Sequence, residues 1–240
     1  MTPAEWAASG ATTGQQAAAG SPSPPADRPP DASAARCLEL EAALAEKEAT
    51  LRELQHRAKN SLQLVISLLR LQHHRIADPV AKAAYDQTMH RVEVLAILYR
   101  QVHEARSETS VELSHYVREV AETAVANMDR GRPPVLTVEV QPQRCSLYTA
   151  MPMGLIVNEL VAQALRGAFP PEGWLTVRLE RLPTGEARLT VTSNGRGLPT
   201  GFDAEADAAA MLVEALATQL GADLDIAKGP GTSTRLTLPL

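Results

Sequence analysis

Apolar residues recur at every seventh position between residues 38 and 76. Leu44, Leu51, Ala58 and Val65 form one row, Leu54, Ser61 and Leu68 a second, and Leu62, Leu69 and Ile76 broaden the stripe. Neither Pro nor Gly interrupts residues 38–77. The period and the continuity predict one long amphipathic helix of coiled-coil type. Asp78-Pro79 reads as a fresh helix start, with Asp78 as the cap and Pro79 at the first helical position. A second helix follows, with Ala84, Thr88, Val92, Leu95, Tyr99 and Val102 on one face. Two such helices make an antiparallel hairpin over residues 37–107. Each apolar face is wider than one partner covers, so a second copy completing a four-helix bundle is expected.

Beyond residue 108 the pattern changes. Leu113–Met128 reads as a helix, and Val135–Val140 alternates like a strand. Met151–Gly167 is apolar and helical, and residues 207–220 are helical as well. Trp174–Leu182 and Ala187–Thr192 read as strands joined by a Pro183-Thr184-Gly185 turn, and Leu224–Ala227 and Thr234–Leu238 as two more. Helices on one side of a mixed or antiparallel sheet give an α/β sandwich over residues 108–240. The fold class is therefore a helical hairpin followed by an α/β sandwich.

Composition narrows the partners. A net charge of -5 argues against phosphate-driven binding of nucleic acid. No run reaches the ~18 apolar residues that span a bilayer. The N-terminus lacks the basic start and apolar core of a secretory signal. Cys37 and Cys145 are too few for a disulfide framework and match no metal spacing, so a reducing, cytoplasmic setting is expected. Residues 1–36 hold no Val, Ile, Leu or Phe, and six prolines fall within residues 1–30. That segment is expected to be a disordered tail.

The chemistry concentrates at Leu54-Gln55-His56-Arg57-Ala58-Lys59-Asn60-Ser61-Leu62-Gln63. With Leu51, Ala58 and Val65 at heptad position a, His56 falls at f, away from the seam. Arg52, Glu53, Lys59 and Asn60 share its face. A neutral imidazole nitrogen is a nucleophile, neighbouring cations disfavour the imidazolium, and the same cations stabilise an arriving phosphoryl charge. An ordinary surface histidine satisfies the same periodicity. His73, His74, His90, His103 and His115 show no metal-ligand spacing and read as surface or capping residues.

The string His-Arg-x-Lys-Asn-x-Leu-Gln, continued through Val65-Ile66-Ser67-Leu68-Leu69-Arg70, resembles the phosphoacceptor box of HisKA_2/HWE-type histidine kinases. Asp78-Pro79 and His90-Arg91-Val92-Glu93 extend the likeness. Met153–Val161, with Asn158 and Glu159, is similar to the N-box of that family's ATPase domain, and Ala168-Phe169-Pro170 completes it. The resemblance covers about residues 38–240. It implies a dimerisation and phosphotransfer bundle followed by a GHKL-type ATP-binding sandwich. It makes His56 the phosphoacceptor, with Arg57, Lys59 and Asn60 beside it. Glu159 takes a place that helps organise the nucleotide.

Several positions depart from that pattern. Gln163 stands where a second Asn helps hold Mg2+, and Mg2+ demands near-ideal geometry. Ser193 replaces the adenine-binding Asp of the run Ser193-Asn194-Gly195-Arg196-Gly197, whose two glycines remain. Asn194 turning inward is one way to compensate. Asp207 and Ala209 stand at glycines of the next box, and a carboxylate there repels phosphates. The loop Gly229-Pro230-Gly231-Thr232 keeps its pattern. Losing three contacts together weakens nucleotide binding by several kcal/mol, on the order of a thousandfold, if the effects add.

The expected function is therefore histidine phosphotransfer between His56 and the Asp of response-regulator receiver domains. No ATP or metal is expected on this chain, because the receiver supplies Mg2+. An upstream hybrid histidine kinase is a candidate donor, and neither nucleic acid nor membrane is expected as a partner. Two alternatives stay open: an active ATP-dependent autokinase, and a non-catalytic dimeric adaptor that sequesters a response regulator.

Overall fold

The computed structural model describes residues 32–104, 110–127, 133–166, 169–196, 207–227 and 231–239. Most of the expected tail, Met128, Ala168, Gly197, Gly229 and Pro230 lie outside them. The chain divides after Ala45 into two units. In the first, the described residues are the opening turns of helix α1 (Ala32–His73), where Arg36 pairs with Glu39 at 3.0 Å. Residues 32–36, at the end of the expected tail, lie within this helix. Alanine has the highest helix propensity, and Ala34 and Ala35 favour helix here without large apolar side chains.

The second unit runs from Glu46 to Leu240. Within it α1 ends at His73 and α2 (Pro79–Glu104) begins as expected, Asp78 Oδ1 accepting from Val80 N at 3.0 Å. The hairpin is fastened by Tyr85 Oη donating to Leu69 O at 3.1 Å and by His73 meeting Asp86 at 2.7 Å. His73 is thus a hairpin residue, unlike its exposed neighbour His74.

Strand β1 (Ser110–Glu112) leads into α3 (Leu113–Ala126), and β2 (Val135–Val140) and β3 (Arg144–Ser146) lead into α4 (Leu147–Arg166). Then come β4 (Trp174–Arg181), β5 (Ala187–Ser193), α5 (Ala208–Gln219), β6 (Asp223–Ala227) and β7 (Thr232–Leu238). β1 and β3 form a small antiparallel pair that the sequence did not announce. The main sheet has the order β2-β4-β5-β7-β6, parallel at β2–β4 and antiparallel elsewhere. Leu175, Val177, Leu179, Leu189, Val191, Leu236 and Leu238 alternate onto one buried face, covered by the helices. Gly185, at φ +92°, closes the β4–β5 hairpin.

Of the expected face of α2 only Val102 is buried; Val94, Ile97 and Leu98 enter the sandwich core with it, while Ala84 and Thr88 are exposed and Val92, Leu95 and Tyr99 are half-buried. One helix thus serves both the hairpin and the sandwich. Tyr116 of α3 sits at this junction, its Oη 3.5 Å from Val94 O. Gly154 of α4 makes room for it, since a Cβ there would lie 2.0 Å from the Tyr116 hydroxyl. Burial drives the Tyr116 pKa far above its ordinary value and lifts the Cys145 thiol to about 11, with Glu112 adding to the latter.

Candidate functional site

His56 lies on α1 and is exposed, as its heptad position requires. Asn60, one turn on, brings its amide Nδ2 to 3.4 Å from His56 Nδ1, the amide N–H donating to the ring nitrogen. Arg57 turns back one turn to Glu53 at 2.5 Å, so its charge is partnered. Lys59 is half-buried. The ring of His103, in the last turn of α2, lies against that of His56, with centroids 5.3 Å apart and planes 54° apart. His103 is exposed near the helix end, as expected, but nothing in the spacing shows that the hairpin brings its ring to His56.

The residues expected at a nucleotide converge from α4, the end of β5 and the start of β7, yet they bond largely to protein. Glu159 is 1% exposed. It accepts from Arg91 Nε at 2.9 Å and Nη2 at 3.1 Å, from Gln87 Nε2 at 3.0 Å, and from Asn158 Nδ2 at 3.3 Å. The bonds that Arg91 donates to Glu159 hold it above its ordinary pKa against the opposing effect of burial, and the charges of Glu159 and Asp207 add to the rise. The periodicity of α2 gives no sign that Arg91 and Gln87 meet this carboxylate.

Ser193 is buried, its hydroxyl 2.8 Å from that of Thr232. Asn194 does not turn inward to replace the missing carboxylate: Oδ1 accepts from Trp174 N at 2.7 Å and Nδ2 donates to Glu172 O at 3.0 Å. Gly231 has φ +89°, and a Cβ there would come within 2.2 Å of Ser193 O. At Gly195 a Cβ would make ordinary contact with Phe169, so that glycine is not sterically demanded.

Asp207 corrects the expectation of a carboxylate facing phosphates. It caps α5, its Oδ1 accepting from Ala209 N at 2.8 Å and Ala210 N at 3.2 Å, and its Oδ2 meets Arg166 at 3.3 Å. Such a helix start is a ready anion site, here filled by the chain itself. Gln163, with Glu159, Ala209, Ala210, Leu224 and Ile226, lines a narrow, mainly apolar cleft between α4, α5 and β6. Among the described residues, no group of three or more His, Cys, Asp or Glu is arranged to hold a metal, and no helix is long and apolar enough to cross a membrane.

Comparison with known proteins gives this arrangement a family. Residues 53–128 match the HisKA_2 histidine kinase family. The chain is 28% identical over 204 residues to blue-light-activated histidine kinase 2 of Erythrobacter litoralis, a match covering 81% of this chain and 58% of that protein. It is 32% identical over 215 residues to sensor histidine kinase PdtaS of Mycobacterium tuberculosis, covering 82% and 41%. The chain thus spans roughly two fifths to three fifths of these relatives' lengths. Among solved structures, the histidine kinase domain of an Erythrobacter litoralis blue-light-activated kinase superposes with a TM-score of 0.61 at 28% identity, over 82% of this chain and 93% of that one. With its His-Arg-x-Lys-Asn string inside the matched segment and its hairpin and sandwich superposing on a histidine kinase domain, the chain belongs to the HisKA_2 family of histidine kinases.

Proposed function

We propose that this chain is a dimeric histidine phosphotransfer protein that exchanges a phosphoryl group between His56 and the aspartate of response-regulator receiver domains. The observation that carries this reading is the internal pairing of the groups a nucleotide would need. Ser193 is bonded to Thr232, Asp207 to the start of α5 and to Arg166, and Glu159 to Arg91 and Gln87. A ligand would have to break these bonds and then meet Gln163 where an Asn fits Mg2+ better. These residues do not fit magnesium nucleotide. His56, by contrast, is exposed, with one ring nitrogen engaged by Asn60 and the ring edge open to a docking partner. In the transfer the ring proton sits on Nδ1 and the Nε2 lone pair attacks phosphorus, the acyl phosphate P–O bond breaks, and the receiver carboxylate leaves.

The homodimer rests on α1. Leu54 is 56% exposed and Leu68 52%, with Leu51, Leu64, Val65 and Leu71 also exposed along this helix. A bundle with a second copy covers such a stripe.

Incubation with phosphorylated receivers tests the relay. Acid-labile label is expected on the wild type and not on His56→Ala; no label on the wild type from any receiver overturns it. The second reading, an ATP-dependent autokinase, is favoured by the relatives' names. Calorimetric titration with a nonhydrolysable ATP analogue and Mg2+ separates the two, since micromolar binding supports the kinase and silence at millimolar ligand supports the relay.

A further inference from the structure

The geometry points to His103 as a phosphoryl-binding residue: its imidazole N–H donates to the phosphoryl oxygens arriving on His56. The inference deepens the phosphoacceptor reading of His56 and rests on it. Three observations support it. The two rings touch across the hairpin, at 5.3 Å between centroids. They are tilted by 54° rather than stacked, so a ring edge of His103 can approach a group built on His56. Arg57, the adjacent cation in sequence, is paired with Glu53. An imidazole carries at least one N–H in either protonation state, so His103 has a donor to offer throughout. Hydrogen bonds to an ionised oxygen span about 2.7–2.9 Å, a reach open to a ring already packed against the imidazole that would carry the phosphoryl group.

Asn60 sets which nitrogen reacts. As placed, Asn60 Nδ2 donates to Nδ1; a half-turn of the amide presents its oxygen to Nδ1–H instead and frees the Nε2 lone pair of His56. That pair attacks phosphorus, and the oxygens left on phosphorus receive the His103 N–H.

The test uses phosphoramidate, which phosphorylates imidazole without any receiver. Its P–N bond breaks, the new bond forms to Nε2, and ammonia leaves. Label at His56 is followed on the full chain by peptide mapping, with His56→Ala as the blank. His103→Ala should label His56 roughly tenfold more slowly, the worth of one hydrogen bond to a charged group. His103→Asn keeps an N–H donor and should recover much of the rate, while exposed His115→Ala should label His56 as the wild type does. A wild-type rate in His103→Ala, or no recovery in His103→Asn, overturns the assignment. If phosphoramidate labels His56 with this dependence but no receiver does, His103 keeps its role and the relay falls.

Discussion

At the scale of single residues, several polar side chains do two structural jobs at once. Glu112 precedes α3 and accepts from Ser114 Oγ at 2.7 Å, Ser114 N at 3.2 Å and Gln143 N at 3.1 Å. Burial works to raise its pKa, but the bonds from Ser114 and Gln143, with the Arg144 charge, outweigh burial and hold it below its ordinary range. A depressed carboxyl contributes stability that is complete above the unfolded value, about 4.3 for Glu, and is lost as pH falls through the lower folded one. Glu112→Gln should therefore lower the melting temperature at pH 7, and the gap to wild type should close in acid. A gap that stays constant to pH 2 would contradict this. Glu112 was not legible as a cap, because Glu is a minor choice at that position and its β1–β3 setting is too short to show alternation.

Among elements, the Arg91–Glu159 pair carries the most weight. It ties α2 to α4 through a carboxylate almost wholly removed from water. Arg91→Ala leaves that charge with only Gln87 and Asn158 and should cost about 3–5 kcal/mol. Urea unfolding measures it, and Arg91→Leu with Glu159→Leu together should cost much less than the sum of the single changes. The Tyr116–Gly154 junction gives a second check. Gly154→Ala should cost about 1–3 kcal/mol from overpacking. Adding Tyr116→Phe should restore only part, because the ring carbons Cζ and Cε1 stay 2.5 and 2.7 Å from the new Cβ. The elements themselves were largely readable. Val135–Val140 alternates cleanly and is a strand over that span. On α2 the expected face was met only in part, at Val102, because a helix with partners on two sides has no single stripe. The site was less readable than the fold. His56, Asn60 and Ser193 could be named from their strings, whereas His103, Arg91 and Arg166 enter through contacts between segments far apart in the chain.

For the whole molecule, the exposed leucines of α1 set the association state. Leu54→Asp with Leu68→Asp should leave the sandwich folded and give a monomer by sedimentation, while the wild type sediments as a dimer at micromolar concentration. Two monomeric species would remove the four-helix bundle from the proposal. The apolar half of α2 has a practical consequence as well. A fragment ending at residue 107, cut where the chain pattern changes, would bare Val94, Ile97, Leu98 and Val102 to water. The complementary fragment beginning at residue 108 would open a trough over Tyr116 and Val117. Neither piece should be well behaved alone, and mixing the two should regenerate the native fluorescence. The hairpin and the sandwich are in this sense halves of one folding unit, so a twist imposed on the α2 helix has no slack in which to dissipate before it reaches α4.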